Sequence, residues 1–101
     1  MKKLTEAFNK ATVAKGETFA IELDSNPSTG YGWDLKLKAG KASLVKEDYV
    51  PPNSAAVGAG GKKVFVFKAE ETGTIEIEAA YKRSWETKPA AKSCSFNITV
   101  R

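Results

Sequence analysis

Two stretches, Val64-Phe65-Val66-Phe67-Lys68-Ala69 and Ile75-Glu76-Ile77-Glu78-Ala79-Ala80-Tyr81-Lys82, decide how this chain folds. Successive side chains of a β-strand point to opposite faces, so a strand with one buried side alternates with a period of two. In the first stretch Phe65, Phe67 and Ala69 share a face, with Val64, Val66 and Lys68 on the other. In the second, Ile75, Ile77, Ala79 and Tyr81 stand against Glu76, Glu78, Ala80 and Lys82.

The same period recurs to either side. Phe19, Ile21 and Leu23 alternate with Thr18, Ala20 and Glu22, and Tyr31, Trp33, Leu35 and Leu37 with Gly32, Asp34, Lys36 and Lys38. Cys94, Phe96, Ile98 and Val100 alternate with Ser95, Asn97 and Thr99. Residues 4–13 form a weaker candidate for an opening strand. Residues 42–50 are ambiguous, and Pro51-Pro52 ends whatever they form. Six or seven short strands without a helix predict an all-β, immunoglobulin-like antiparallel β-sandwich. With 101 residues the chain is expected to make a single domain, 1–101.

Composition removes most enzyme classes. The chain contains no histidine and one cysteine, so it has no Ser-His or Cys-His pair and no Cys₄ zinc site. No close Asp/Glu pair occupies an obvious cleft-forming loop. The expectation is a protein that is not an enzyme and holds no metal or cofactor. The lone Cys94 excludes an internal disulfide and shares the expected core face with Phe96, which predicts a buried thiol. Asn97-Ile98-Thr99 has the form of a glycosylation acceptor, but it lies within an expected strand.

The net charge of +4 is spread over lysines that alternate with apolar residues. That pattern reads as a solvated sheet face, so neither nucleic acid nor a membrane is an expected partner. No apolar run approaches the roughly 18 residues of a membrane span. The start, Met1-Lys2-Lys3-Leu4, is basic but lacks the apolar stretch of a signal peptide. The chain is therefore read as either cytoplasmic or a mature form with its signal removed.

Three connections carry more chemistry than a turn requires. Asn26-Pro27-Ser28-Thr29-Gly30-Tyr31 combines a proline-set turn with a glycine suited to positive φ and presents two hydroxyls. Val57-Gly58-Ala59-Gly60-Gly61 leads into a strand, whereas a phosphate loop would lead into a helix. Its glycines suit either plain flexibility or the close approach of bare backbone to another surface. Tyr81-Lys82-Arg83-Ser84-Trp85-Glu86 puts a tryptophan where a loop should begin. Trp85 either covers the end of the core or, with Arg83, supplies the residue types enriched at binding hot spots.

In this order and spacing the three segments resemble those of the chagasin family, protein inhibitors of papain-like cysteine peptidases. The family pattern runs N-P-T-T-G-[YF], G-x-G-G and R-P-W-[E]; here it is met at Asn26–Tyr31, Gly58–Gly61 and Arg83–Glu86. Trp33, the Phe-x-Phe-x-Ala at 65–69, Gly73 and Tyr81 match the family framework, so the likeness covers about residues 16–100.

The resemblance implies a reversible, non-covalent wedge of three loops, 26–31, 57–62 and 83–88, entering the cleft of a papain-like (cathepsin L-like) cysteine peptidase. It implies that Asn26, Pro27, Ser28, Thr29, Gly30 and Tyr31 form the central contact. Ser28 and Thr29 would lie near the catalytic cysteine and histidine of the peptidase. Gly58, Ala59, Gly60 and Gly61 would run beside the substrate groove, and Trp85, supported by Arg83, would pack on the opposite wall. The free protein would be a monomer. Two positions depart from the pattern: Ser84 replaces the usual proline, and Ser28 the commoner threonine. The alternative use of the same loop end is an immunoglobulin-like module that recognises a surface protein or glycan.

Overall fold

The computed structural model describes residues 1–25, 30–51, 61–83 and 90–101. Among them are eight strands: β1 (Lys2–Leu4), β2 (Lys10–Val13), β3 (Thr18–Ser25), β4 (Tyr31–Ala39), β5 (Ala42–Val50), β6 (Gly61–Ala69), β7 (Gly73–Arg83) and β8 (Lys92–Val100). No described residue is helical. The strands form two four-stranded sheets, ordered β1-β3-β6-β5 and β2-β8-β7-β4, stacked as a sandwich.

The alternating residues make the core. Leu4, Phe19, Ile21, Leu23, Phe65, Phe67 and Ala69 face inward from one sheet, and Val13, Ile75, Ile77, Ala79, Phe96, Ile98 and Val100 from the other. Phe19 and Phe67 stack across the β3–β6 pair with ring centroids 5.7 Å apart. Burial of this apolar surface is the main term that holds the two sheets together.

Three details differ from the sequence reading. Residues 4–13 do not form one strand. β1 pairs in parallel with β3, and β2 pairs in parallel with β8, so the opening segment passes from one sheet to the other. The remaining strand pairs are antiparallel. The ambiguous stretch 42–50 is the edge strand β5, with a register shift between Leu44 and Lys46. Almost all of its residues are exposed, so no alternating signal could mark it. Leu37 leaves the core where β4 also shifts register, and it is 46% exposed.

The outer face of the first sheet is not uniformly polar. Ala20 is buried there, and Val64 and Val66 are half-buried. Ion pairs between Lys3 and Glu22 (3.3 Å) and between Lys62 and Asp24 (3.0 Å) lie beside them. Lysine stems can cover apolar surface while their charged ends stay in water, which suits such a face.

Candidate functional site at one end of the sandwich

The register of the strands gathers all three segments at one end. In the first sheet Ser25, the last residue of β3, pairs with Gly61, the first of β6, and Val50 at the end of β5 pairs with Lys62. In the second, Tyr31 at the start of β4 pairs with Arg83 at the end of β7, and Tyr81 pairs with Lys92 at the start of β8. The connections 26–30, 51–60 and 84–91 therefore leave neighbouring strand ends. Those at 51–60 and 84–91 return within their own sheets, whereas 26–30 passes between sheets.

One side chain ties the two sheets together at this end. The Trp33 indole Nε1–H donates to the Asp24 carbonyl oxygen at 2.8 Å, linking β4 to β3 beneath the 26–30 connection. Nearby, the Lys62 ammonium donates to the Asp24 carboxylate at 3.0 Å. That hydrogen bond, and next the charge of the same carboxylate, raise the Lys62 pKa above its ordinary value. Both side chains are largely exposed, so the pair adds little stability.

The inner face of the second sheet changes chemistry as it reaches the loop end. Below it lie Ile77 and Ala79; above them come Trp33, Tyr81, Tyr31 and Arg83. Tyr31 stacks on Tyr81 with centroids 5.1 Å apart and planes 20° from parallel. Trp33 tilts against Tyr81 with centroids 4.8 Å apart and planes 38° from parallel. The Arg83 guanidinium lies 4.4 Å from the Tyr31 centroid, and the Lys92 ammonium 5.5 Å from that of Tyr81 and 5.8 Å from that of Trp33. Aromatic pairs of this geometry contribute about 0.5–1.5 kcal/mol beyond area burial, and exposed cation–π contacts about 0.5–1 kcal/mol. The Ala91 N–H also donates to the Tyr81 carbonyl at 2.9 Å, closing the base of the 84–91 connection.

Four of the predicted site residues fall within the described parts. Gly30 takes φ of +80°, a conformation that glycine adopts at no steric cost. Tyr31 and Arg83 belong to strands and make the contacts just described; neither lies in a free loop. Gly61 is the first residue of β6, so the loop expected over 57–62 gives way to a strand at 61. The ladder to Ser25 and to β5 draws Gly61 and Lys62 into the sheet. A Cβ on Gly61 would collide with the Val50 carbonyl oxygen and stand 2.6 Å from the Tyr49 hydroxyl. Close packing of β5 on β6 thus explains this glycine without any partner. Asn26, Pro27, Ser28, Thr29, Gly58, Ala59, Gly60 and Trp85 lie outside the described residues.

Between the sheets, just inside this end, is a cleft of about 310 Å³ lined by Ser25, Tyr31, Trp33, Glu47, Tyr49 and Lys63. Lys63 and Glu47, on neighbouring strands of the first sheet, form an ion pair at 3.1 Å on one of its walls. Among the described residues no cluster of histidine, cysteine and carboxylates could hold a metal ion. Cys94, half-buried against the edge of the core, is not the fully enclosed thiol expected. Desolvation, then the nearby Glu6 charge, push its pKa upward, which keeps the thiol protonated and a poor nucleophile. Sequence reading missed Lys92 and the Trp33–Asp24 link. A lone lysine at a strand start carries no signal, and the link depends on a contact between sheets.

Comparison with known proteins agrees with this geometry. Residues 12–100 match the family described as "Chagasin family peptidase inhibitor I42". Chagasin of Trypanosoma cruzi is 36% identical over 106 residues, covering 98% of this chain and 96% of that protein. The crystal structure of the cysteine protease inhibitor EhICP2 from Entamoeba histolytica superposes with a TM-score of 0.85 at 30% identity, over 99% of this chain and 95% of that one. PbICP-C, whose structure was solved in complex with falcipain-2, shares the fold at 18% identity, with a TM-score of 0.68 over 100% of this chain and 91% of that one. An all-β sandwich with three connections at one end, this chain belongs to the chagasin family of peptidase inhibitors.

Proposed function

We propose that the chain, acting as one domain and as a monomer, reversibly inhibits papain-like cysteine peptidases of the cathepsin L-like kind. It does so by filling the active-site cleft with segments 26–31, 57–62 and 83–88. The observation that carries this reading is the convergence of their strand stems at one end, with the inter-sheet connection 26–30 passing between the sheets. A wedge of this kind needs a central element flanked by two others, and a connection between the sheets beside one within each sheet supports that reading.

In this reading Ser28 and Thr29 approach the catalytic cysteine and histidine of the peptidase. The backbone of Gly58, Ala59 and Gly60 hydrogen-bonds along the substrate groove, and Trp85 packs on the far wall. Tyr31, Gly61 and Arg83 belong to the strand ends that carry these contacts. Inhibition requires no reacting group, only loops that fit and resist cleavage. A proline-bearing turn resists threading through the site as an extended substrate would. An interface of about 1,600 Å² built from preorganised loops is enough for nanomolar affinity.

The test is a titration into papain or a cathepsin L-like peptidase, followed with a fluorogenic substrate. Competitive, reversible inhibition is expected at submicromolar concentration. Absence of inhibition at ten micromolar (about 7 kcal/mol of binding free energy) would contradict the proposal.

A further inference from the structure

Tyr81 is the hub of the loop end, although it lies in no loop. Its ring touches Tyr31, which follows the 26–30 connection, and its backbone carbonyl accepts from Ala91, which ends the 84–91 connection. The ring also touches Trp33, whose indole holds the Asp24 carbonyl just before the 26–30 connection. Lys92, just after the 84–91 connection, caps both Tyr81 and Trp33, and Arg83, just before it, caps Tyr31. Every described stem of the first and third segments thus meets one ring or a ring in contact with it.

The flanking strands do not require this arrangement. The ladder between β4 and β7 holds the backbone from Tyr31 to Ala39, and Ile77 and Ala79 already close the core below. The stack is half-buried, unlike the fully enclosed aliphatic residues below it. Aromatic rings carry few rotatable bonds, so each contact orders its neighbours at low entropic cost. A shared rigid neighbour makes ordering of one segment lower the cost of ordering the other.

We infer that Tyr81 is a positioning residue that couples the strand ends flanking the 26–30 and 84–91 connections, so that each pair of ends is fixed partly through the other. This rests on the reading that the two segments form one binding surface, but the coupling itself is a property of the free protein. Tyr81 makes no contact with the peptidase in this scheme. It acts by holding the strand ends that carry both segments in one relation, which lowers the ordering cost of binding.

Amide hydrogen exchange on the free protein, followed residue by residue, tests the inference without any peptidase. Tyr81→Leu should speed exchange severalfold at both 30–32 and 90–92 while β3 and β6 keep their protection, and Tyr81→Phe should restore the slower rates. Tyr31→Leu, on the edge strand, is the second variant should the first fail to fold; it should speed exchange at 90–92, a strand end to which it is not adjacent in sequence. Faster exchange confined to the strand end next to the substituted residue, or at neither, would overturn the coupling. With a peptidase present, Tyr81→Leu should weaken inhibition about tenfold, mainly by faster dissociation. If the unaltered protein fails to inhibit, the inhibitor reading falls, and the exchange result still decides whether the coupling exists.

Discussion

The two halves of β7 obey one alternation and do opposite things with it. From Gly73 to Ala79 the inward side chains are Ile75, Ile77 and Ala79, each no more than 1% exposed. Beyond Ala80 the inward positions are Tyr81 and Arg83, both half-buried and both in contact with aromatic rings or cations. The aliphatic half excludes water and fixes the sandwich. The aromatic and cationic half tolerates water at its edge while holding the ends of neighbouring strands. The same contrast runs along β4, from Leu35 and Trp33 packed against the core to Tyr31 beyond them. In the proposed function, one strand serves stability at one end and recognition at the other.

Substitutions should separate the halves. Ile77→Ala empties space at the centre of the core and is expected to cost about 2–5 kcal/mol of folding stability. The inhibition constant of the folded fraction should stay within threefold. Chemical denaturation combined with an inhibition assay reads both quantities. Trp85→Ala should do the reverse, weakening inhibition by about 2–4 kcal/mol, or 30- to 1,000-fold, with an unchanged denaturation midpoint. A loss of inhibition below threefold together with a lower midpoint would make Trp85 a cap on the core and blur the division.

A smaller effect sharpens the comparison. Ser84 stands where the family pattern carries proline, and proline removes conformations from the unbound chain. Ser84→Pro is expected to strengthen inhibition by about 0.4–1 kcal/mol, roughly two- to fivefold, seen as a lower inhibition constant. Weaker inhibition would mean that the backbone at 84 takes a φ closed to proline, so that the serine is required there.

How much of this was legible in the sequence follows from the same contrast. Strands with one buried face announce themselves, because Phe19, Ile21, Phe65, Phe67, Ile75 and Ile77 must alternate to meet the opposing sheet. The edge strand β5 did not, since an exposed strand has no face to mark. The division of residues 4–13 between sheets depends on pairing with β3 and β8, which lie far away in sequence. The loop segments were visible through residue types that a plain turn does not need, such as Trp85 beside Arg83 and the glycines at 58–61. The platform under them was not. Arg83 read as a binding-loop residue and Lys92 carried no signal, and only the fold shows them over Tyr31 and Tyr81. Gly61 read as part of a binding loop, whereas its immediate constraint is the β5 backbone.

The central claim is that the loop end occupies the peptidase cleft, and the reactivity of the peptidase's own catalytic cysteine tests it most directly. At saturating concentrations of this protein, alkylation of that cysteine by an active-site-directed reagent should slow in proportion to occupancy and recover on dilution. Substituting Trp85 by alanine should shift the protection curve to higher concentration. Alkylation at the full rate while the two proteins are demonstrably bound would place the contact away from the cleft and contradict the account.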